Sequence, residues 1–487
     1  MSPLPNDYQP SEEFSPFLHI RSESSSLRGL HGIRLAPEAS RDTRRRPPYE
    51  DIGDSWTLPD PYHILTLQMA QAALTFDRIA LLTSDAVRSR WVQGVAIAAV
   101  IFAIYLASSD LYDPYNQYER LADAMLHGRL DLIDPPDYLE LAHYPDGAYV
   151  INPPAPAVLL IPFVAIWGLN TNQVVISMLV GAAAVGLFWV AMRQLDWDIR
   201  LSAGMIALLA FGTNFWWAAA DGGMWMFAHV TAVFFMMGGF VEATGAKRPW
   251  LVGLLLGAAG LSRLPVFLSF PFFAYLLVHG DDRPLPALVR DRSIRLRIGL
   301  FLCSLAAMAA LDLLYNYARF GTIEDKGYHH PHYLTEPSFA HGMNDVSYIH
   351  RHIEAIFLRL PVLDLSSFPY LKPSALGLGV FFTTPALLYI FRTSLNRLTI
   401  AAIGATLLTL IPIVTYGVVG ASQFGYRYGI DVYPMLVVLT ASGMRGKMSP
   451  LKWVIIGLSC VIGLWGVLSF EHFDWVACDP GWVCGKT

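Results

Sequence analysis

The stretch "VQGVAIAAVIFAIYLASSDLYDPYNQYERLADAMLHGRLDL", residues 92–132, decides how this chain is read. Its first half is hydrocarbon over 92–109, long enough for one helical crossing of a bilayer. Its second half opens with Asp110 and Asp113 and continues into a polar helix ending in "MLHG". A channel or an anchor has no evident need of acidic groups at that exit. A catalyst working at a membrane surface does.

The rest of the chain agrees with a polytopic membrane protein. Of 487 residues 54% are hydrophobic and 15% charged, with mean hydropathy +0.41, which soluble domains rarely reach. The net charge of −5 speaks against a nucleic-acid partner. Four cysteines show no zinc-type or CxxC spacing. Cys303 and Cys460 lie in apolar runs and are expected to be buried, inert thiols. Cys478 and Cys484, in the tail "DWVACDPGWVCGKT", make sense as a disulfide only if that tail faces an oxidising compartment.

No cleavable signal peptide is expected. Residues 1–60, with "RDTRRRPPYE", read as a disordered cytoplasmic tail. Residues 61–91, interrupted by Asp77 and Arg78, read as an amphipathic helix on the membrane surface. Further apolar runs fall at 173–193, 201–219, 224–243, 297–317, 375–391, 398–418, 430–443 and 452–470. Between them 249–279 is split by Ser262, Arg263 and Pro265 into two short helices. The run 153–168 is short, carries four prolines, and either crosses or lies in the outer leaflet.

Basic loops choose between those two. If 153–168 does not cross, "MRQLDWDIR", "GAKRPW", "DDRPLPALVRDRSIRLR", "FRTSLNRL" and "MRGKMSPLK" all share the side of the N-terminus. The positive-inside rule then holds at every loop. The expected fold is therefore all-α and polytopic, with about eleven transmembrane helices over 92–470 plus re-entrant or surface helices. Loops 110–152 and 320–373 and the tail 471–487 lie outside. Intramembrane carboxylates and repeated halves, the marks of ion-coupled transporters, are missing from the pattern; Asp312 and Glu242 fall near span ends.

Asp113, the helix with "LADAML", Gly128 and the later "YVINPPAPAVLLIPFVAIWG" together resemble the opening of the GT-C superfamily of membrane glycosyltransferases. "GAAGLSRLPVFLSFP", "YNYARFG" and "FGYRYGIDVYP" carry the resemblance on to about residue 445. It implies a GT-C fold, a polyprenyl-phosphate sugar donor, and a glycan, lipid or protein acceptor at the outer face of a bacterial plasma membrane. Membrane lipids are partners and nucleic acid is not. Many relatives carry two adjacent acidic residues after the first span, whereas Pro114 follows Asp113 here, so no metal and no other cofactor is expected.

Each residue has a plain reading beside the chemical one. Asp113 is expected as the general base, with Asp110 in reserve; placed before Pro114, Asp113 also suits a helix N-cap. Arg427 and Arg263 are expected at the donor phosphate, which a planar guanidinium fork bonds at two oxygens. Their plain readings are an arginine in an aromatic belt and one snorkelling to headgroups. His229, Tyr428 and Glu324 are expected to contact substrate, with His229 alternatively holding a structural hydrogen bond. Glu119, Arg120 and Asp123 read as a solvated helix face. His329, His330, His332 and Glu324 lack fixed spacing and read as solvated rather than metal-binding. The runner-up function is a transporter or flippase for lipid-linked glycans, and a third class is an assembly protein with partner-binding outer loops.

Overall fold

A computed structural model describes residues 89–330 and 334–477, and it is mostly helical. The tail 1–60, nearly all of the helix expected over 61–91, His332, Cys478 and Cys484 lie outside the described residues.

Six helices are long and apolar enough to cross a membrane, by length and composition. They are α1 (Arg90–Ala107), α4 (Gln173–Gln194), α7 (Met224–Thr244), α11 (Arg292–Phe320), α14 (Arg397–Val414) and α16 (Pro450–Glu471). A seventh is formed if α5 (Ile199–Phe211) and α6 (Phe215–Asp221), bent by 46°, count as one span. The bend falls at Gly212-Thr213-Asn214. There Thr213 Oγ accepts from Phe215 N–H, and the buried Asn214 donates to Phe424 O and accepts from Tyr433 OH. Side chains thereby satisfy backbone that the broken helix leaves open. Asn172, Asp198 and Asn396 cap α4, α5 and α14 through their side-chain oxygens.

Four expected spans are shorter than a bilayer requires. α8 (Pro249–Gly260) is 12 residues, about 18 Å at the helical rise. A 3-10 turn over Leu264–Ser269 leads into α9 (Phe270–Val278), and α15 (Tyr433–Gly443) has 11 residues. The run 375–391 differs most. It holds only a short α13 (Val380–Thr383) and a 3-10 helix Pro385–Arg392, because Pro385 forces the preceding Thr384 out of the helical region.

The connections sort into two ends. At the basic end Thr244 bonds Gln194 (2.6 Å), Lys247 Nζ bonds His279 O (2.6 Å) and Arg397 bonds Arg283 O (2.8 Å). The loops rich in Lys and Arg thus touch one another at one end of the helices. At the opposite end Ser109 Oγ bonds Ala220 O, Arg319 bonds Val150 O and His352 bonds Tyr416 O. Two short helices belong here, α2 (Gln117–Leu126) and α3 (Ala155–Trp167). α3 is tied to that end at both of its own ends. Ala155 N–H donates to Leu261 O, and Asn172, just beyond α3, donates to Leu111 O.

α4 and α7 form the centre, each 78% buried over its apolar window, whereas α1 and α11 are 17% buried and form the rim. Small residues let α1 approach: a Cβ on Gly94 would lie 2.9 Å from Gly186 O. The rim position corrects one expectation. Cys303 on α11 is exposed, since its apolar neighbours face outward rather than into a core, and Cys460 is only half-buried. Three strands, β1 (Asp131–Leu132), β2 (Leu141–Tyr144) and β3 (Gly147–Val150), pair antiparallel in the order β1-β3-β2.

Glu119 is a second correction. It is buried rather than solvated, because α2 lies against α3 and turns this position inward. Burial pushes its carboxyl up to about 7, with the Arg120 charge and Asn116 pulling the other way. A folded value above the ordinary 4.5 means that the fold binds this proton more tightly than the unfolded chain. The contribution of Glu119 to stability is therefore fully present below about pH 4.5 and is lost as pH rises towards about 7. Thermal unfolding of Glu119→Gln, compared with the native chain over that window, should show a flatter decline. Parallel curves would remove Glu119 from this account.

Candidate functional site

The first two turns of α7 organise the site at the end opposite the basic loops. Gly223 precedes the helix, and the Asp113 carboxyl sits against it: a Cβ at 223 would lie 2.7 Å from Asp113 Oδ1. Helix N-termini hold unpaired N–H groups and positive potential, which favour an anionic neighbour. Asp113 Oδ1 accepts from Tyr115 N–H at 2.8 Å, and Tyr115 O accepts from Met224 N–H at 3.1 Å. The acidic turn is thus clipped to α7. It does not cap α2. α2 begins at Gln117 with Asn116 at the N-cap, because 114–116 turn towards α7 before the helix starts. Asp110 is exposed, its Oδ1 accepting from Tyr112 N–H. Asp221, buried at the end of α6, accepts from Gly223 N–H at 3.0 Å. Gly223 accordingly has a carboxylate on each side.

One step along α7, Trp225 donates from Nε1 to Glu140 Oε2 at 2.9 Å and lies 4.8 Å, ring to ring, from Tyr115. Burial raises the Glu140 carboxyl, opposed by the Trp225 bond and the Arg427 charge. Glu140 reaches this place because it stands directly before β2, whose pairing with β3 fixes the loop.

One turn deeper, His229 Nδ1 meets Asp431 Oδ1 at 2.5 Å, and Arg263 Nε donates to Asp431 Oδ2 at 3.2 Å. His229 and Asp431 are fully buried and the Arg263 side chain is 13% exposed. The Arg263 guanidinium lies 5.4 Å from the Tyr428 ring centre; that of Arg427 lies 5.3 Å from the same ring and 5.9 Å from Trp225. Two cations therefore share one aromatic ring. Arg427 donates to Ala421 O at 3.3 Å, while its Nε, like His229 Nε2, is buried without a hydrogen-bond partner. Neither arginine snorkels to headgroups. From the other loop Tyr328 is held by Asn152 at 3.1 Å, close enough to Arg263 and Glu140 to feel their charges.

Five sequence-derived residues, Asp113, His229, Arg263, Arg427 and Tyr428, are thus gathered around α7. Glu324 is not joined to them by any hydrogen bond among the described residues; it is exposed, near Tyr144 of β2. His329 and His330 bond the carbonyls of Asp325 and His143. The described residues contain no group of three or more metal-ligating side chains. Sequence reading missed Asp431, Glu140, Asp221 and Trp225. Asp431 had a signal, a carboxylate opening an apolar run four residues after Arg427, which demands a buried cationic partner. Glu140 had none, being one acid among several in "DPPDYLELAHYPDG".

Comparison with known protein families, curated proteins and solved structures finds no match.

Proposed function

We propose that this chain is a membrane glycosyltransferase of the GT-C type, moving a sugar from a polyprenyl-phosphate carrier to an acceptor in the cell envelope. The observation that carries the reading is that successive positions along the first turns of one helix hold the clipped Asp113 carboxylate at Gly223, the Arg427 guanidinium by Trp225 and, at His229, the Asp431–Arg263 pair, both arginines lying against the Tyr428 ring. Sugar transfer from a phosphate needs both charges. Asp113 takes the proton of an acceptor hydroxyl, the hydroxyl oxygen attacks the anomeric carbon, and the bond to the phosphate oxygen breaks. The departing phosphate gains negative charge, which Arg427 and Arg263 neutralise. Aromatic faces at Trp225 and Tyr428 suit a sugar ring, and a lipid-tailed donor explains why the site adjoins apolar helices. Incubating purified protein in lipid with synthetic polyprenyl-phosphate sugars, read by mass spectrometry, tests this. Donor that is moved across the bilayer with its sugar intact would select the flippase reading instead.

In this proposal the protein sits in a bacterial plasma membrane with about eleven crossings, the short segments included, and a cytoplasmic N-terminus. The clustering of basic connections at one end supports the orientation. With the four native cysteines changed to serine, Ser338→Cys should react with an impermeant thiol reagent in intact cells and Ser293→Cys should not. Labelling at 293 alone would invert the protein and put the site on the wrong face.

Arg427 has a partnerless Nε, so its fork is available to a ligand. Arg427→Lys keeps the charge and loses the fork, and should weaken donor binding by roughly 1–3 kcal/mol. Equal affinities for Arg427→Lys and the native chain would return this residue to a packing role.

A further inference from the structure

The site leaves one unusual surface unexplained, and it does not depend on the transferase reading. β4 (Val362–Leu363) and β5 (Leu371–Lys372) form a small antiparallel hairpin in the second long loop. Its large apolar residues point outward: Leu363 is 66% exposed, Leu365 76%, Phe368 70% and Tyr370 54%. Its polar groups meanwhile bond one another. Asp364 accepts from Ser366 N–H, Ser367 Oγ and Lys372 Nζ, and Asp364 N–H donates to Tyr370 O. Water-facing loops show the opposite arrangement. Large apolar side chains displayed outward over a polar, water-accessible base suit a segment seated at a bilayer interface, its backbone at headgroup depth and its hydrocarbon reaching inward.

The hairpin's position agrees. α16, a candidate span, ends at Glu471, and six residues later Ala477 exchanges backbone hydrogen bonds with Pro373 and Ala375 at the hairpin's base. Phe368 meets Trp475 edge-on at 5.4 Å, and Trp475 stacks on Phe473 at 4.2 Å. Aromatic rings at the end of an apolar helix mark the depth of a bilayer interface.

We propose that the hairpin 362–372 lies on the membrane interface at the site's end of the protein, its backbone among the headgroups and the side chains of Leu363, Leu365 and Phe368 inserted among the lipid chains. The occupant of this face is phospholipid. The hairpin is continuous with the site, since the segment before it supplies His352, bonded to Tyr426 OH at 2.7 Å, and Ala355, packed with Tyr428. It therefore holds the membrane surface at a fixed distance from the arginine pair.

The test uses the full chain in phospholipid nanodiscs, its native cysteines replaced by serine. A nitroxide is placed in separate samples at Leu363→Cys, Leu365→Cys and, as an aqueous control, Ser347→Cys. Collision with oxygen, which concentrates in lipid, is compared with collision with a water-soluble nickel chelate. Oxygen should dominate at 363 and 365 and nickel at 347, so that the ratio reverses between hairpin and control. Nickel dominating at 365 would overturn the proposal. So would low access to both reagents with spin–spin broadening at 365, which means a second copy of the chain covers the hairpin. The two hairpin positions are independent, so poor folding of one leaves the other decisive.

Discussion

Asp431→Ala is expected to destabilise the protein by about 3–5 kcal/mol, the usual consequence of removing one partner from a buried charge pair. Asp431 is fully buried and has a cation on one oxygen and an imidazole on the other. Deleting it strands the Arg263 guanidinium, whose nearest remaining support is the Tyr428 ring. Asp431→Asn keeps an acceptor for Arg263 and should cost less. The double change Arg263→Met with Asp431→Leu removes both charges together and should regain most of the stability, since apolar replacement of a whole buried pair is often neutral. Activity separates the roles: the double variant should fold and still fail to turn over. Thermal unfolding of the purified protein in nanodiscs, paired with donor turnover, checks each arm. A single Asp431→Ala variant as stable as the native chain would show that water reaches this pair and that it is not buried.

How much of this could be read beforehand follows from which forces were local. α1, α4, α7, α11, α14 and α16 were legible because twenty or so apolar residues in a row have one economical conformation in lipid. Length within the run was harder: 375–391 is apolar throughout, yet Pro385 and the glycines before it break the helix, and composition alone weighted those residues too lightly. Asp113, Arg263 and Arg427 could be singled out because a charge beside hydrocarbon needs a reason wherever the fold puts it. Their partners could not. Glu140 comes to Trp225 through a three-stranded pairing of two to four residues per strand, and Asp431 to His229 across 202 residues of chain. Contacts of that separation depend on how helices pack, which periodicity does not encode. Glu119 failed for the same reason, since its inward face exists only once α3 lies alongside.

Asp113→Asn should lower turnover by about 10²-fold or more while leaving expression, melting temperature and donor binding nearly unchanged, in line with the usual contribution of a general base. The geometry makes this substitution a clean one. Asparagine retains an oxygen that can accept from Tyr115 N–H, so the turn that clips the acidic exit to α7 survives. What disappears is the negative charge at the helix N-terminus and the ability to take a proton. Capping of α2 no longer competes, because α2 starts at Gln117 with Asn116 in the capping position. A second variant approaches the same carboxylate from its seat. Gly223→Ala introduces a methyl group within about 3 Å of the Asp113 carboxyl and must displace it, so turnover should fall although every proposed catalytic group remains. Asp110→Asn should be close to silent, since Asp110 is exposed and its bond to Tyr112 N–H can be kept by the asparagine oxygen. If Asp113→Asn keeps full activity and Asp110→Asn is dead, the base is the residue nearer the span. If both remain active, the acidic exit is structural and the transferase proposal loses the group that performs its chemistry.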